Sequence, residues 1–278
     1  MPEKRAFSII SLFLDAPAKS GSGTTEESAP GRRRAVLAIN TAVVLALLTF
    51  VMWYGFSRLN YTFMWENVWE YRVNMANGFL MTIYISAASL VLSTLLGLFF
   101  GLAQRSRLHA LRIFSRIYIE VIRGTPLLVQ LLIFFYVIAN ALGVNNRYVA
   151  GIIVMSIFAG AYLAEIIRAG VESVGGTQLE TAKAIGLTRR QTYRFIVFPQ
   201  VIKRVLPPLA GQFASLIKDS SLLSIIAIKE FTMAAREVNA NTFSTLESYI
   251  PLAVGYLLLT IPISVMTKRL ERRYSYET

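Results

Sequence analysis

Lys218 and Asp219 stand side by side inside an otherwise apolar run, Val205 to Ile228. Adjacent positions on a helix do not face one another, so each charge needs its own partner or water. At ~1.5 Å per residue, Lys218 lies roughly 20 Å along that run, past the middle of a bilayer core about 30 Å thick. Charges at such depth face a bundle interior or a watery cavity, and the chemistry open to this pair is to line a path for a polar solute. The competing reading ends the span before Lys218 and leaves both charges near the outer surface. Glu230, shortly beyond, is the candidate for a contact at the outer mouth. Glu120 with Arg123, and Glu165 with Arg168, have the i, i+3 spacing that suits structural ion pairs near the cytoplasmic boundary. R-G-T-P, Arg123 to Pro126, puts a flexible residue and a helix breaker within one turn, so a bend is expected there, with Thr125 and Pro126 as candidates for the path.

Nothing in the chain suits a reaction. Cysteine is absent and His109 is the single histidine, which excludes disulfides, thiolate metal sites and a histidine metal cluster. There is no G-x-x-x-x-G-K-[ST] phosphate loop, no G-x-S-x-G and no H-E-x-x-H. The chain is therefore expected to carry no cofactor and to be no enzyme.

The elements that must position these residues are membrane helices. The chain is 55% hydrophobic and only 16% charged, against about 25% charged in soluble domains. Six runs approach the ~20 apolar residues a helix needs to cross a bilayer: Ala35 to Phe56, Gly78 to Ala103, Ile117 to Leu142, Tyr148 to Ile167, Val205 to Ile228 and Tyr249 to Thr267. The fifth, with its two charges, is the weakest on hydropathy. Gly97 and Gly101 form G-x-x-x-G, a pattern that permits close helix packing.

Six spans put both termini on one side, and that side collects 21 of the 28 Lys and Arg; five lie on the other, with Arg123 and Lys218 inside spans. Basic residues concentrate in cytoplasmic loops, so both termini are expected in the cytoplasm. Orientation thus accounts for the net charge of +12, and no nucleic-acid partner is needed. Residues 1–34, with the short apolar patch FSIISLFL, read as a disordered cytoplasmic tail, and 35–57 as an extra span. Residues 58–77 read as an outer-surface segment among headgroups, with Trp65, Val68 and Trp69 on one helical face. Residues 78–268 form the main transmembrane domain and 269–278 a second cytoplasmic tail.

Between the fourth and fifth runs lies LETAKAIGLTRRQTYRFIVFPQ, beginning at Leu179. Thr177 with Glu180, and Thr188 with Gln191, have capping-box spacing, so each is expected to start a short helix. Gly186 suits the end of the first and Pro199 the end of the second. Three readings compete for this unit: a solvated loop, a DNA-binding helix-turn-helix, and a docking element for a cytoplasmic protein. Spans ending close on either side leave little freedom to enter a major groove.

Residues 179–199, with Glu180, Ala182, Gly186 and Pro199, resemble the E-A-A…G…P loop of the permease subunits of ABC importers, with Thr181 in place of the first alanine. NGFLMTIYIS, YIEVIRGTPLLVQLLIFFY, AYLAEIIRAGVESV and PQVIKRVLPPLAGQFASLIKDSSLLSIIAIKEF are similar to the polar amino acid uptake group. The resemblance covers about residues 74–268. It implies an all-α integral membrane protein with a five-span permease core, one extra N-terminal span and cytoplasmic coupling helices between spans four and five. It implies an importer of polar amino acids in the bacterial inner membrane. The implied partners are a dimeric ABC ATPase that holds ATP and magnesium, a second permease subunit, and an extracytoplasmic amino acid binding protein. Glu180, Ala182, Gly186 and Leu187 are the implied coupling residues. The alternative function is a gated channel, which would conduct without an ATPase.

Overall fold

The computed structural model describes residues 30–58 and 61–275, and every regular element among them is helical. The expected tail 1–34, with its apolar patch, lies almost wholly outside the described residues. The chain divides into two compact units, residues 1–62 and 63–278.

The first unit is described through α1, Pro30–Ser57. No side chain in its apolar stretch Ala38–Ser57 is buried. A helix that is hydrophobic all round and packs on nothing within its unit is suited to lipid.

The second unit holds α2 (Trp65–Glu70), α3 (Arg72–Ala103), α4 (His109–Gly124) and α5 (Leu127–Ile133), which runs on as a π-helical turn over Phe134–Ala139. Then come α6 (Arg147–Glu172), α7 (Gly176–Ala184), α8 (Arg189–Thr192) with a π turn over Tyr193–Val197, and α9 (Phe198–Asp219). A 3₁₀ segment, Ser220–Ile226, leads to α10 (Phe231–Thr242) and α11 (Thr245–Ser275).

The centre of the unit is α3 against α6. A Cβ added at Gly97 would lie 2.6 Å from Leu163 Cβ, and one at Gly101 would lie 2.9 Å from the Ala164 carbonyl. The G-x-x-x-G therefore allows backbone-to-backbone approach, as its spacing suggests. Because later residues of α3 meet later residues of α6, the two helices run in the same direction, and α4 with α5 carries the chain back between them. Gly170 of α6 meets Val205 of α9, where an added Cβ would come within 2.4 Å of Cγ2. The main core gathers Ile85, Leu131, Met155, Leu216, Leu223 and Ile228. A second cluster packs Val68 and Met75 against Phe231 and Val238.

Among the described residues four helices, Ala38–Ser57, Arg72–Ala103, Arg147–Glu172 and Thr245–Arg272, are long and apolar enough to cross a membrane, and α4 with α5 makes a fifth crossing if the bent pair counts as one. α9 falls short on composition because Lys203, Arg204, Lys218 and Asp219 lie within it. Two helices extend beyond the apolar runs Gly78 to Ala103 and Tyr249 to Thr267. α3 begins at Arg72, so 72–77 belong to a long helix, and Met75 packs on α10. α11 continues to Ser275, since nothing in 269–275 breaks a helix.

Candidate functional site

The unit between α6 and α9 folds as two short helices joined at Gly186 and Leu187. Gly186 takes φ +78°, a conformation that costs side-chain-bearing residues about 1–2 kcal/mol. Its N–H donates to the Lys183 carbonyl and the Leu187 N–H to the Ala182 carbonyl, both at 3.0 Å, the paired bonds that close a helix on a left-handed residue. Thr188 and Gln191 form the expected capping box: the Thr188 N–H donates to Gln191 Oε1 at 2.9 Å and the Gln191 N–H to Thr188 Oγ1 at 3.3 Å.

The other box does not form. Gly175 occupies the cap position of α7, which places Thr177 inside the helix and Glu180 a turn beyond its start. Glu180 is exposed, without a capping duty. Ala182 is fully buried, so it seats the unit on the protein. Leu187 is half-buried. The sequence reading missed Ile185, which caps the end of α7 and is 68% exposed. An isoleucine directly ahead of the turn glycine in an otherwise polar stretch was the signal available.

Pro199 does not stop the second helix. The π turn Tyr193–Val197 resets the hydrogen-bond register, and Pro199 then falls in the first turn of α9, where no N–H is required. Helical structure is thus continuous from Arg189 to Asp219. Arg204 Nη1 donates to the Ser173 carbonyl at 2.9 Å, tying the base of α9 to the end of α6.

The expected bend at R-G-T-P is present, with 109° between α4 and α5. Gln130 Nε2 donates to the Ile122 carbonyl at 2.7 Å, to Thr125 Oγ1 at 2.7 Å and to the Thr125 carbonyl at 3.1 Å. It satisfies acceptors released where Pro126 lacks an N–H. Gln130 was also missed, although a lone amide in LLVQLLIFF one turn past a proline marks it. Thr125 and Pro126 are exposed in the single chain.

Glu165 pairs with Arg168 on its own helix, as the spacing suggests, and Arg168 also binds Glu172. Arg123 turns away from Glu120. It lies 3.9 Å from Glu165 and over the Tyr162 ring, because α4 packs on α6 and a partner across the interface is nearer than one along the helix.

At the far end of α9, Lys218 and Asp219 occupy the last turn, Lys218 exposed and Asp219 half-buried. The run Val205 to Ile228 is not one helix: it tightens to 3₁₀ at Ser220 and ends at Ala227, whose φ of +56° is left-handed. Arg147 Nη1 donates to the Ala227 carbonyl at 3.0 Å. Glu230 is not open to an outer mouth. It is fully buried and caps α10, accepting the Thr232 and Met233 N–H groups at 2.8 and 2.7 Å and the Tyr256 hydroxyl at 3.1 Å. Burial pushes its carboxyl above the usual carboxylate range, against the opposing pull of those donors. Thr82 of α3 completes the network by accepting the Phe231 N–H at 3.1 Å. Glutamate at a helix start, three residues before Met233, was the local sign of a cap.

A concavity of about 980 Å³ is an open apolar groove lined by Trp65, Trp69, Phe79 and Leu258. Its chemistry suits hydrocarbon and not a polar solute.

Residues 93–276 match the family described as binding-protein-dependent transport system inner membrane component. The glutamine transport system permease protein of Escherichia coli is 35% identical over 213 residues, 76% of this chain and 97% of that protein. The L-cystine transport system permease protein of Bacillus subtilis is 36% identical over 200 residues, 72% of this chain and 86% of that one. Among solved structures, the crystal structure of an amino acid ABC transporter with histidines superposes with a TM-score of 0.71 at 34% identity, covering 77% of this chain and 100% of that chain. The MetNI methionine ABC transporter in an inward-facing form shares the fold, with a TM-score of 0.57 at 13% identity over 72% of this chain and 97% of that chain.

Proposed function

The chain belongs to the family of binding-protein-dependent transport system inner membrane components, and on that premise we propose that it is the transmembrane permease subunit of an ATP-driven importer of polar amino acids. The observation that carries the reading is mechanical. The two-helix unit at residues 176–197 has a defined shape and continues without interruption into α9, so a push on it moves a helix that ends at Lys218 and Asp219. A docked partner shifts an equilibrium only by contacts that differ between two states, and a rigid lever supplies such contacts.

The reading makes Glu180 and the Gly186–Leu187 turn the surface that a separate ATPase engages, with Ile185 beside them and Ala182 as its anchor. ATP and magnesium belong to that ATPase. Six spans, α9 included, put this unit and both termini in the cytoplasm of a bacterial inner membrane. A second permease subunit and an extracytoplasmic binding protein complete the assembly. Lys218 and Asp219, with Thr125 and Pro126, border the route of the solute.

The test is uptake of labelled glutamine, cystine and histidine, one at a time, into vesicles holding the permease with candidate ATPase and binding proteins. Uptake is expected only with all components and ATP. Conduction without the ATPase would overturn the reading in favour of a channel. Independently, a cysteine introduced at Arg190 is expected to resist impermeant labelling from outside intact cells.

A further inference from the structure

Behind the two-helix unit lies a cavity of about 450 Å³, walled by the ends of α3 and α6 and by the inner faces of α7 and α8. Three cations line it, Arg105, Lys183 and Arg189, and none of them forms an ion pair among the described residues. The single carboxylate on its wall, Glu172, is already engaged by Arg168. Its floor is apolar, made by Val171, Val174, Leu179, Leu187 and Val197. Tyr193 on its wall, and Phe195 and Phe198 shortly after it in the chain, are 63–64% exposed, as aromatic side chains are where a helix meets headgroups.

From this we infer that the cavity holds the headgroup of an anionic phospholipid, with the phosphate on Arg105, Lys183 and Arg189 and the glycerol and first methylenes on the apolar floor. A free anion would satisfy the cations and leave the floor wet, whereas an anionic amphiphile matches both. Basic pockets at the cytoplasmic ends of spans are where such headgroups bind. The lining also distinguishes the cavity residues from the proposed docking residues Glu180 and Ile185. Leu179 and Lys183 of α7 line the cavity and Ala182 is buried beside them, whereas Glu180 and Ile185 are exposed and do not line it. One lipid would therefore link Lys183 and Arg189, on either side of the Gly186 turn, to Arg105 at the end of α3. The stance of the unit on the membrane would then depend on the anionic lipid present.

The inference rests on the proposed membrane placement of this end, and its test is made in detergent so that it does not depend on sidedness. Full-length permease in neutral detergent is titrated with phosphatidylglycerol or phosphatidylcholine and bound lipid is counted by native mass spectrometry. Phosphatidylglycerol is expected to bind about tenfold or more tightly than phosphatidylcholine. Arg105→Gln, Lys183→Gln and Arg189→Gln are each expected to weaken it about fivefold. Arg105→Lys should retain most of the affinity. Arg190→Gln, which removes an equal charge outside the cavity, should leave it within about twofold. Unchanged melting of the variants in detergent shows that they fold. Equal binding of the two lipids, an equal loss in Arg190→Gln, displacement of the lipid by millimolar inorganic phosphate, or displacement by the ATPase subunit would each overturn the assignment. The last outcome would return the cavity to a protein contact. Outside labelling of a cysteine at position 190 would sink the topology and leave the lipid result standing on its own.

Discussion

The two ends of α9 solve opposite problems. At its base the chain is held by local devices, a left-handed glycine and a capping box, and its outward side chains are free to meet another protein. At its far end the local backbone is unfavourable, a 3₁₀ segment closing on a left-handed alanine, and it is held by groups from elsewhere: Arg147 of α6 on the Ala227 carbonyl, Thr82 of α3 and Tyr256 of α11 on the α10 cap. The base can thus move as a preformed body, whereas the far end changes shape only if several helices release it. In an alternating machine this is the division expected between a handle and a gate.

Substitutions at the two ends should separate accordingly. The largest effect is expected from Gly186→Val, which forces a β-branched residue to φ +78°. The protein should insert normally and lose ATPase association in a pull-down, or lose substrate-stimulated ATP hydrolysis. Glu180→Lys should follow at the same readout, and normal association with normal hydrolysis in both would break the comparison at its base. Next comes Glu230→Ala, which removes a buried cap worth about 0.5–2 kcal/mol and one of the hydrogen bonds of the Tyr256 hydroxyl. Lower melting in detergent is expected, with Glu230→Gln retaining part of the loss. A wild-type melt for Glu230→Ala would show that the far end is not held by this network.

Asp219→Asn and Lys218→Met should lower uptake several-fold at equal abundance, and more than the change Leu90→Ala. Wild-type uptake in both would make these charges a surface feature of the helix end. The smallest difference is the most specific. Thr188→Ala should cost about 1 kcal/mol of local stability, read by hydrogen exchange in α8, whereas Thr177→Ala should cost almost nothing because Gly175 caps α7. Equal effects would mean that both boxes matter.

Much of the base was legible because its devices are local. Gly186, Thr188 and Gln191 act within a few residues of themselves, and so do the R-G-T-P break and the i, i+3 pair of Glu165 and Arg168. The false signals were local patterns that met a stronger competitor. Thr177 and Glu180 had the right spacing two residues too late, and Pro199 looked like a stop until the π turn ahead of it removed the need for its N–H. Gln130 and Ile185 carried visible but weak signals, each a single residue out of keeping with its run.

What the sequence by itself determined is the membrane class, the helical content and the turn and cap at the centre of the two-helix unit, because each follows from composition or from contacts a few residues apart. What only the tertiary structure decided is which partner each charge chose. Arg123 left Glu120 for Glu165 because α4 lies against α6. Glu230 became a buried cap because α3, α10 and α11 converge around it. Such pairings join residues far apart in sequence, and a buried charge takes whichever donor or acceptor the packing of helices brings within reach, which no spacing along the chain can specify.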